Sequence, residues 1–142
     1  MKPWIYDAVL AAAFAGATGV VAKIGLRGIS GEVGLVVRTG MITALVALFA
    51  AFAVPRPQFR SLAWTNAGWL GLSALLATCS WIFYFRALKV GDVSKIALID
   101  KTGILVAVVL GWAILGEEIT WKTLSGGGLI LAGVYLISQS RS

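Results

Sequence analysis

Residues 93–115, VSKIALIDKTGILVAVVLGWAIL, decide the fold class, because they form an apolar run long enough to cross a bilayer as one helix. A transmembrane helix needs about 20 apolar residues to cross about 30 Å of hydrocarbon. Four further stretches share this length and character. Together they predict an all-α integral membrane protein with five transmembrane helices, at residues 4–26, 33–54, 62–88, 93–115 and 121–138.

The composition supports this fold class. Of the 142 residues, 59% are apolar and 13% are charged, and the mean hydropathy is +0.92. A soluble domain carries about 25% charged residues, so the chain lacks the polar surface of a soluble enzyme or a nucleic-acid-binding domain. The stretches are continuously apolar rather than alternating, which disfavours a β-barrel. We therefore interpret residues 1–142 as a single transmembrane domain whose surroundings are the lipid bilayer.

The sequence contains no group of residues that indicates catalysis. Histidine is absent and there is one cysteine, which excludes an internal disulfide and gives no metal-ligand spacing. No nucleophile and base stand in a recognisable arrangement. We expect no enzymatic activity and no cofactor.

The distribution of basic residues gives only a weak preference for one orientation. Five crossings place the two termini on opposite sides of the membrane, and basic residues favour the cytoplasmic side. When all Lys and Arg are counted, eight lie toward the side of the C-terminus and four toward the side of the N-terminus. Three of the eight lie deeper in the membrane, and without them the count is five to four: Lys23, Arg38 and Lys101. Such a bias is typical of a chain that inserts in both orientations, which predicts dual topology in a prokaryotic inner membrane.

Four of the charged residues lie deeper in the predicted helices, at similar depths from the same end of the bundle: Lys23, Arg38, Asp100 and Lys101. Ionisable groups in a bilayer face the protein interior or a water cavity and often mark a transport pathway. Asp100 needs a partner, and we expect Lys23 or Arg38 rather than Lys101, which points about 100° away around the helix. The alternatives are that both cations snorkel to the surface and that Asp100 forms a structural pair. The cluster is net positive, which is compatible with an anionic substrate group.

Two aromatic residues of the third helix, Trp81 and Tyr84, lie at a depth where they either pack between helices or line a substrate cavity. Small residues on the first and fifth helices indicate a close approach between helices, because association in lipid depends on such contacts. We select as helix-packing residues Gly16, Gly19, Gly127, Gly128 and Ala132. On the fifth helix their density suggests an interface between helices, which two protomers could share.

The last third of the chain carries a recognisable series of motifs. Tyr84-Phe85-Arg86-Ala87-Leu88 leads to a Gly91-Asp92 turn, and Leu110-Gly111-Trp112-Ala113-Ile114-Leu115-Gly116-Glu117 precedes Thr120, Gly127 and Gly133. With these motifs and its helix count, the chain resembles the EamA-type domain of the drug/metabolite transporter superfamily. The Gly116-Glu117 turn is the best single marker. We interpret Glu117 as complementing the N-terminal dipole of the fifth helix.

The resemblance implies one half of a transporter. Members of the superfamily typically have ten helices, built as two five-helix repeats of opposite orientation, and this chain is similar to one repeat. The missing half would come from a second chain, most simply an antiparallel copy, or from a paralogue. Exchange of conformations between two inverted halves gives a physical basis for alternating access. The small multidrug exporters of the superfamily carry a proton-coupling glutamate in their first helix, where residues 10–16 here read LAAAFAG. Their mechanism is therefore not expected here, and Asp100 is a hypothetical substitute as proton carrier.

These observations favour a small-molecule transporter, for a metabolite or a drug, that works as an antiparallel homodimer. Its substrate would bind between the first four helices. One alternative is a subunit of a heterodimeric lipid-linked-sugar flippase. Another is a non-transporting membrane scaffold, in which the buried charges would pair with one another and no cavity would reach water.

Overall fold

A computed structural model describes residues 3–139, and this part of the chain is helical and contains no strand. The helices are α1 (Pro3–Gly25), α2 (Gly31–Ala53), α3 (Arg56–Phe59), α4 (Trp64–Val90), α5 (Val93–Asp100), α6 (Gly103–Leu115) and α7 (Trp121–Ser138). The all-α prediction is confirmed. All five predicted segments are helical, and their outer bounds agree with the prediction to within two residues.

Within the described range, four segments are long and apolar enough to cross a membrane. They are α1, α2, α4 and the segment Val93–Leu115, which comprises α5 and α6. The 18-residue helix α7 does not reach this standard. Its first half is the polar part, with Lys122, Thr123 and Ser125 before three consecutive glycines. Length and hydropathy therefore support four spans in the described range, and the fifth crossing stays a prediction.

The predicted fourth helix is interrupted after Asp100. The amide groups of Lys101 and Thr102 donate to carbonyls three residues earlier, at 3.1 and 3.0 Å, where an α-helix would use carbonyls four residues earlier. The Thr102 hydroxyl also donates to the Ile99 carbonyl at 2.7 Å. Threonine hydroxyls compete with the helical hydrogen-bond pattern in this way, and the single helix predicted over 93–115 is therefore two shorter helices.

The start of α2 is fixed by a side-chain cap. The Ser30 hydroxyl accepts a hydrogen bond from the Val33 amide at 3.2 Å, which is the contact expected of an N-cap residue. The chain reaches this cap through Gly28, whose φ of +78° is a conformation that favours glycine. The helix consequently begins at Gly31, two residues before the predicted start.

The described chain divides into two compact units. The central unit comprises residues 21–90, and the terminal unit comprises residues 3–20 with residues 91–139. The large apolar side chains that are buried in the described range all belong to the central unit: Leu26, Phe85 and Leu88. They lie where α1 ends, α2 begins and α4 ends, so the core of this unit is at one end of its helices.

Candidate functional site

Two lysines of the central unit bind the ends of each other's helices. The Lys23 ammonium, near the end of α1, donates to the carbonyls of Leu88 and Lys89 in the last turn of α4, at 2.6 and 3.2 Å. The Lys89 ammonium donates in return to the Leu26 carbonyl just after α1, at 3.1 Å. The last carbonyls of a helix have no partner within it, and cations are stabilised there by the helix dipole. We call this reciprocal arrangement the lysine clasp.

Backbone contact and an ion pair join α2 to α4 at the same end. A Cβ atom on Gly31 would lie 2.7 Å from the Phe85 carbonyl oxygen, so glycine allows the two backbones to approach closely. One turn further, a Cβ on Gly34 would overlap the side chain of Leu26. The Arg86 guanidinium donates from Nε to Glu32 Oε1 at 2.9 Å, with both side chains more than half exposed. An exposed pair of this kind contributes about 0.2–1 kcal/mol.

Arg38 is held against two aromatic rings of α4. The central carbon of its guanidinium lies 5.1 Å from the ring centroid of Trp81 and 5.5 Å from that of Phe85. Both distances lie in the range of cation–π interactions. Arg38 and Trp81 are half-buried and Phe85 is buried. The sequence-predicted residues Arg38 and Trp81 are therefore brought together in one unit.

Tyr84 stands one position before Phe85, with its ring centroid 6.3 Å from that of Phe85 and a tilt of 59° between the ring planes. Its side chain is half-buried. Like Trp81, it belongs to the part of α4 that faces α2 and the end of α1. Its proposed place in a cavity wall stays a prediction.

Asp100 and Lys101 lie in the terminal unit and pair with each other. The Lys101 ammonium is 3.5 Å from Asp100 Oδ2, and the two side chains are 62% and 43% exposed. Helical spacing predicts Lys101 to be the poorer partner of Asp100, because neighbouring side chains point about 100° apart. The structure nevertheless pairs them, and the backbone of Lys101 keeps right-handed helical angles, so it is the long lysine side chain that spans this angle. Pairing of Asp100 with Lys23 or Arg38 stays a prediction.

The predicted packing residues have different surroundings. Gly19 is buried, and a Cβ on Gly127 would lie 3.0 Å from the side chain of Leu105 in α6. For Gly16 and Gly128, by contrast, no other side chain or packed backbone in the described range lies within 4 Å of such a Cβ, and Ala132 is exposed. The side of α7 that carries Gly128 and Ala132 is thus open in the single chain.

The Gly116-Glu117 motif closes the end of α6. Gly116 has a φ of +68°, a left-handed conformation that glycine commonly adopts at the end of a helix, and the amides of Gly116 and Glu117 both donate to the Gly111 carbonyl, the second at 3.2 Å. The Glu117 carboxylate turns back onto α6, where a Cβ on Gly111 would lie 2.8 Å from its Oε2 atom. The N-terminus of α7 is capped instead by the Thr120 hydroxyl, which accepts from the Thr123 amide at 3.2 Å.

Several contributors to these sites were not selected from the sequence: Lys89, Phe85, Gly31, Gly34, Glu32 and Gly111. Gly111 could have been selected from the sequence, because it stands five residues before Gly116, the glycine of the turn motif. Lys89, Phe85, Gly31 and Glu32 depend on partners more than 45 residues away, as with Lys89 and Leu26, which are 63 residues apart. Gly34 contacts Leu26 across the turn that precedes α2. Among residues 3–139, no group of three or more His, Cys, Asp or Glu is placed to hold a metal ion.

Comparison with known proteins identifies relatives over nearly the whole chain. The profile of the EamA-like transporter family matches residues 2–139. A protein of Sinorhizobium sp., described as an uncharacterized transporter in the cobO 3′ region, is 33% identical over 137 residues, which is 96% of this chain and 97% of that protein. No solved structure matches the chain significantly.

Proposed function

Because the chain belongs to the EamA-like transporter family, we propose that it carries a small molecule across the membrane by alternating access, as an antiparallel homodimer. The family consists of transporters rather than enzymes, and the chain is an integral membrane protein with at least four candidate spans. The observation that carries the proposal is the length of the match. The family profile matches residues 2–139 once, and a relative of nearly equal length aligns with 96% of this chain. Both matches therefore cover the one set of helices in this chain.

The proposal needs a fifth crossing, for which α7 is the candidate. An 18-residue helix extends about 27 Å, close to the thickness of the hydrocarbon layer. Trp121 at its start is 83% exposed and suits a position at the membrane interface. With α7 as a crossing, the termini lie on opposite sides, and two copies in opposite orientations supply the two inverted halves that alternating access uses.

The weak charge bias supports insertion in both orientations, and removal of charge from one side supplies a test. Arg56 and Arg60 lie in and just after α3, on the side of the N-terminus. Replacing both by serine leaves two basic residues on that side against eight on the other. Since basic residues favour the cytoplasm, the double variant should insert mainly with its C-terminus inside.

The experiment fuses alkaline phosphatase or green fluorescent protein to the C-terminus, because the first is active only outside the cytoplasm and the second fluoresces only inside. The wild-type chain should give both signals at comparable levels, and the Arg56→Ser/Arg60→Ser variant should give mainly fluorescence. A wild-type signal on one side only would refute the antiparallel homodimer. Such a chain would then be tested with a paralogous partner, as a heterodimer would require.

A further inference from the structure

We propose that Arg38 is the binding site for an oxyanion, the carboxylate or phosphate group of an organic substrate. This inference rests on the proposed transport function, which it extends to a substrate class. Arg38 lies seven residues inside α2, about 10 Å from the start of a membrane-spanning segment. An arginine at such a depth faces the protein interior or a water-filled cavity and marks a functional position.

The position of the guanidinium argues against snorkelling. Its neighbours, Phe85 and Trp81, lie five and nine residues before the end of α4, or about 7 and 13 Å from that end along the helix. The guanidinium is therefore held between these two positions, short of the helix end. A snorkelling side chain would extend to the helix end, where the lysine clasp and Glu32 lie.

Charge pairing within the central unit leaves Arg38 without a carboxylate. Glu32 is the one acidic residue of this unit, and its carboxylate binds Arg86. The unit also contains seven basic residues: Lys23, Arg27, Arg38, Arg56, Arg60, Arg86 and Lys89. In the described part of the chain, the contacts of the Arg38 guanidinium are the two aromatic rings, and it makes no hydrogen bond or ion pair.

The chemistry of the guanidinium defines what it can bind. The planar guanidinium carries five N–H donors in a fixed fork, and its two aromatic neighbours accept no conventional hydrogen bond from them. These donors match the two oxygens of a carboxylate or phosphate, which they bind in a bidentate manner. The rings of Trp81 and Phe85 beside the cation also offer apolar contact for the organic part of a substrate.

The test measures binding of matched probes to the purified protein in a maltoside detergent, which contains no phosphate or carboxylate. Isothermal titration calorimetry compares benzoate and phenyl phosphate with benzamide, a neutral analogue of nearly the same shape. We expect the two anions to bind and benzamide to bind much more weakly. Arg38→Gln should reduce anion affinity about ten- to hundredfold, the range for loss of a charge-assisted hydrogen bond.

Two further variants separate this role from a structural one. Arg56→Gln removes the same charge from the exposed helix α3 and should leave the affinity for benzoate unchanged. Arg38→Lys retains the charge but loses the bidentate geometry, so it should fold normally and bind benzoate with intermediate affinity. Equal binding of benzamide and benzoate, or an equal loss in Arg38→Gln and Arg56→Gln, would refute the proposal. Failure of both anions to bind the wild-type protein would also refute it.

A second arm identifies the source of the anion. The same titration with a short-chain phosphatidylglycerol tests whether the site takes a lipid phosphate, and competition between this lipid and benzoate decides between a lipid headgroup and a soluble substrate. Binding in detergent does not depend on membrane orientation. A chain that inserts in a single orientation but binds benzoate through Arg38 would contradict the antiparallel homodimer and support the anion site. A chain that inserts in both orientations but does not bind benzoate through Arg38 would support the homodimer and contradict the anion site.

Discussion

Replacement of Gly31 by alanine should loosen the contact between α2 and α4. The new Cβ atom would lie 2.7 Å from the Phe85 carbonyl oxygen, 3.0 Å from its carbon and 3.2 Å from the Arg86 nitrogen. All three are backbone atoms of α4, which cannot move aside as the end of a flexible side chain can. The oxygen is about 0.7 Å closer than ordinary van der Waals contact, so the two helices must separate by a similar distance.

The expected cost follows from this displacement. A gap of 0.5–1 Å forfeits about a quarter to a half of each dispersion contact across it, and the neighbouring core residue Leu88 has no exposed surface to begin with. Overpacking of this kind costs about 1–3 kcal/mol. At about 2–4 °C per kcal/mol for a chain of this size, Gly31→Ala should lower the unfolding midpoint by about 2 to 12 °C.

Circular dichroism during heating in detergent measures the effect, and two further glycines of α2 provide graded controls. At Gly34, the new Cβ meets the side chain of Leu26, which can change rotamer, so the loss should be smaller. At Gly40, no atom lies within 4 Å, and alanine should be neutral or stabilise by up to about 1 kcal/mol through its higher helix propensity. A midpoint for Gly31→Ala equal to that of the wild type, or equal losses at Gly31 and Gly40, would refute the reasoning.

Three further predictions concern the clasp, the turn and the intramembrane carboxylate. Lys23→Met should lower the free energy of unfolding by about 1–3 kcal/mol, because carbonyls at the end of α4 lose their donor, whereas Lys122→Met in the exposed first turn of α7 should change it little by the same thermal assay. Gly116→Ala should cost about 1 kcal/mol, because its φ of +68° is unfavourable for alanine; an unchanged midpoint would contradict that backbone conformation. Asp100→Asn should abolish the response of transport in proteoliposomes to a pH gradient if Asp100 carries the proton, and unchanged coupling would remove it from the mechanism.

The sequence predicted the helical segments well, because the length of an apolar run and the position of Gly, Pro and charged residues directly determine where a membrane helix begins and ends. The interruption after Asp100 was not predicted. The length of the apolar run predicts one helix over residues 93–115. The break depends instead on local hydrogen bonds to carbonyls three rather than four residues earlier, and the Thr102 hydroxyl also binds the Ile99 carbonyl there. The pairing of Lys101 with Asp100 was not predicted either, because the spacing of Cβ atoms on a helix does not include the reach of a long lysine side chain.

The candidate site was predicted in part. Arg38 and Trp81 could be selected because an arginine and a tryptophan inside apolar runs are unusual in themselves. Phe85 and Gly31 could not, since an apolar residue or a glycine within a membrane helix carries no sign of its partner. Their roles appear only when α2 and α4 are paired, and the register of two helices separated by many residues is not encoded in the hydropathy of either one.

The distribution of contacts in the central unit follows from the solvent. In lipid, apolar side chains gain little by leaving their surroundings for another helix, so helix association depends on close backbone packing and polar contacts. Phe52, for instance, is 85% exposed on α2, and lipid chains can solvate it as well as protein can. The contacts that fix α4 to α1 and α2 are accordingly close backbone packing and polar contacts. The first is the glycine contact at Gly31, and the second are the hydrogen bonds from Lys23 and Lys89 to helix ends. Each of these contacts depends on a single atom or charge at a defined position. A small substitution at the end of the helices where they lie should therefore lower stability more than the loss of a large apolar side chain from the lipid-facing surface.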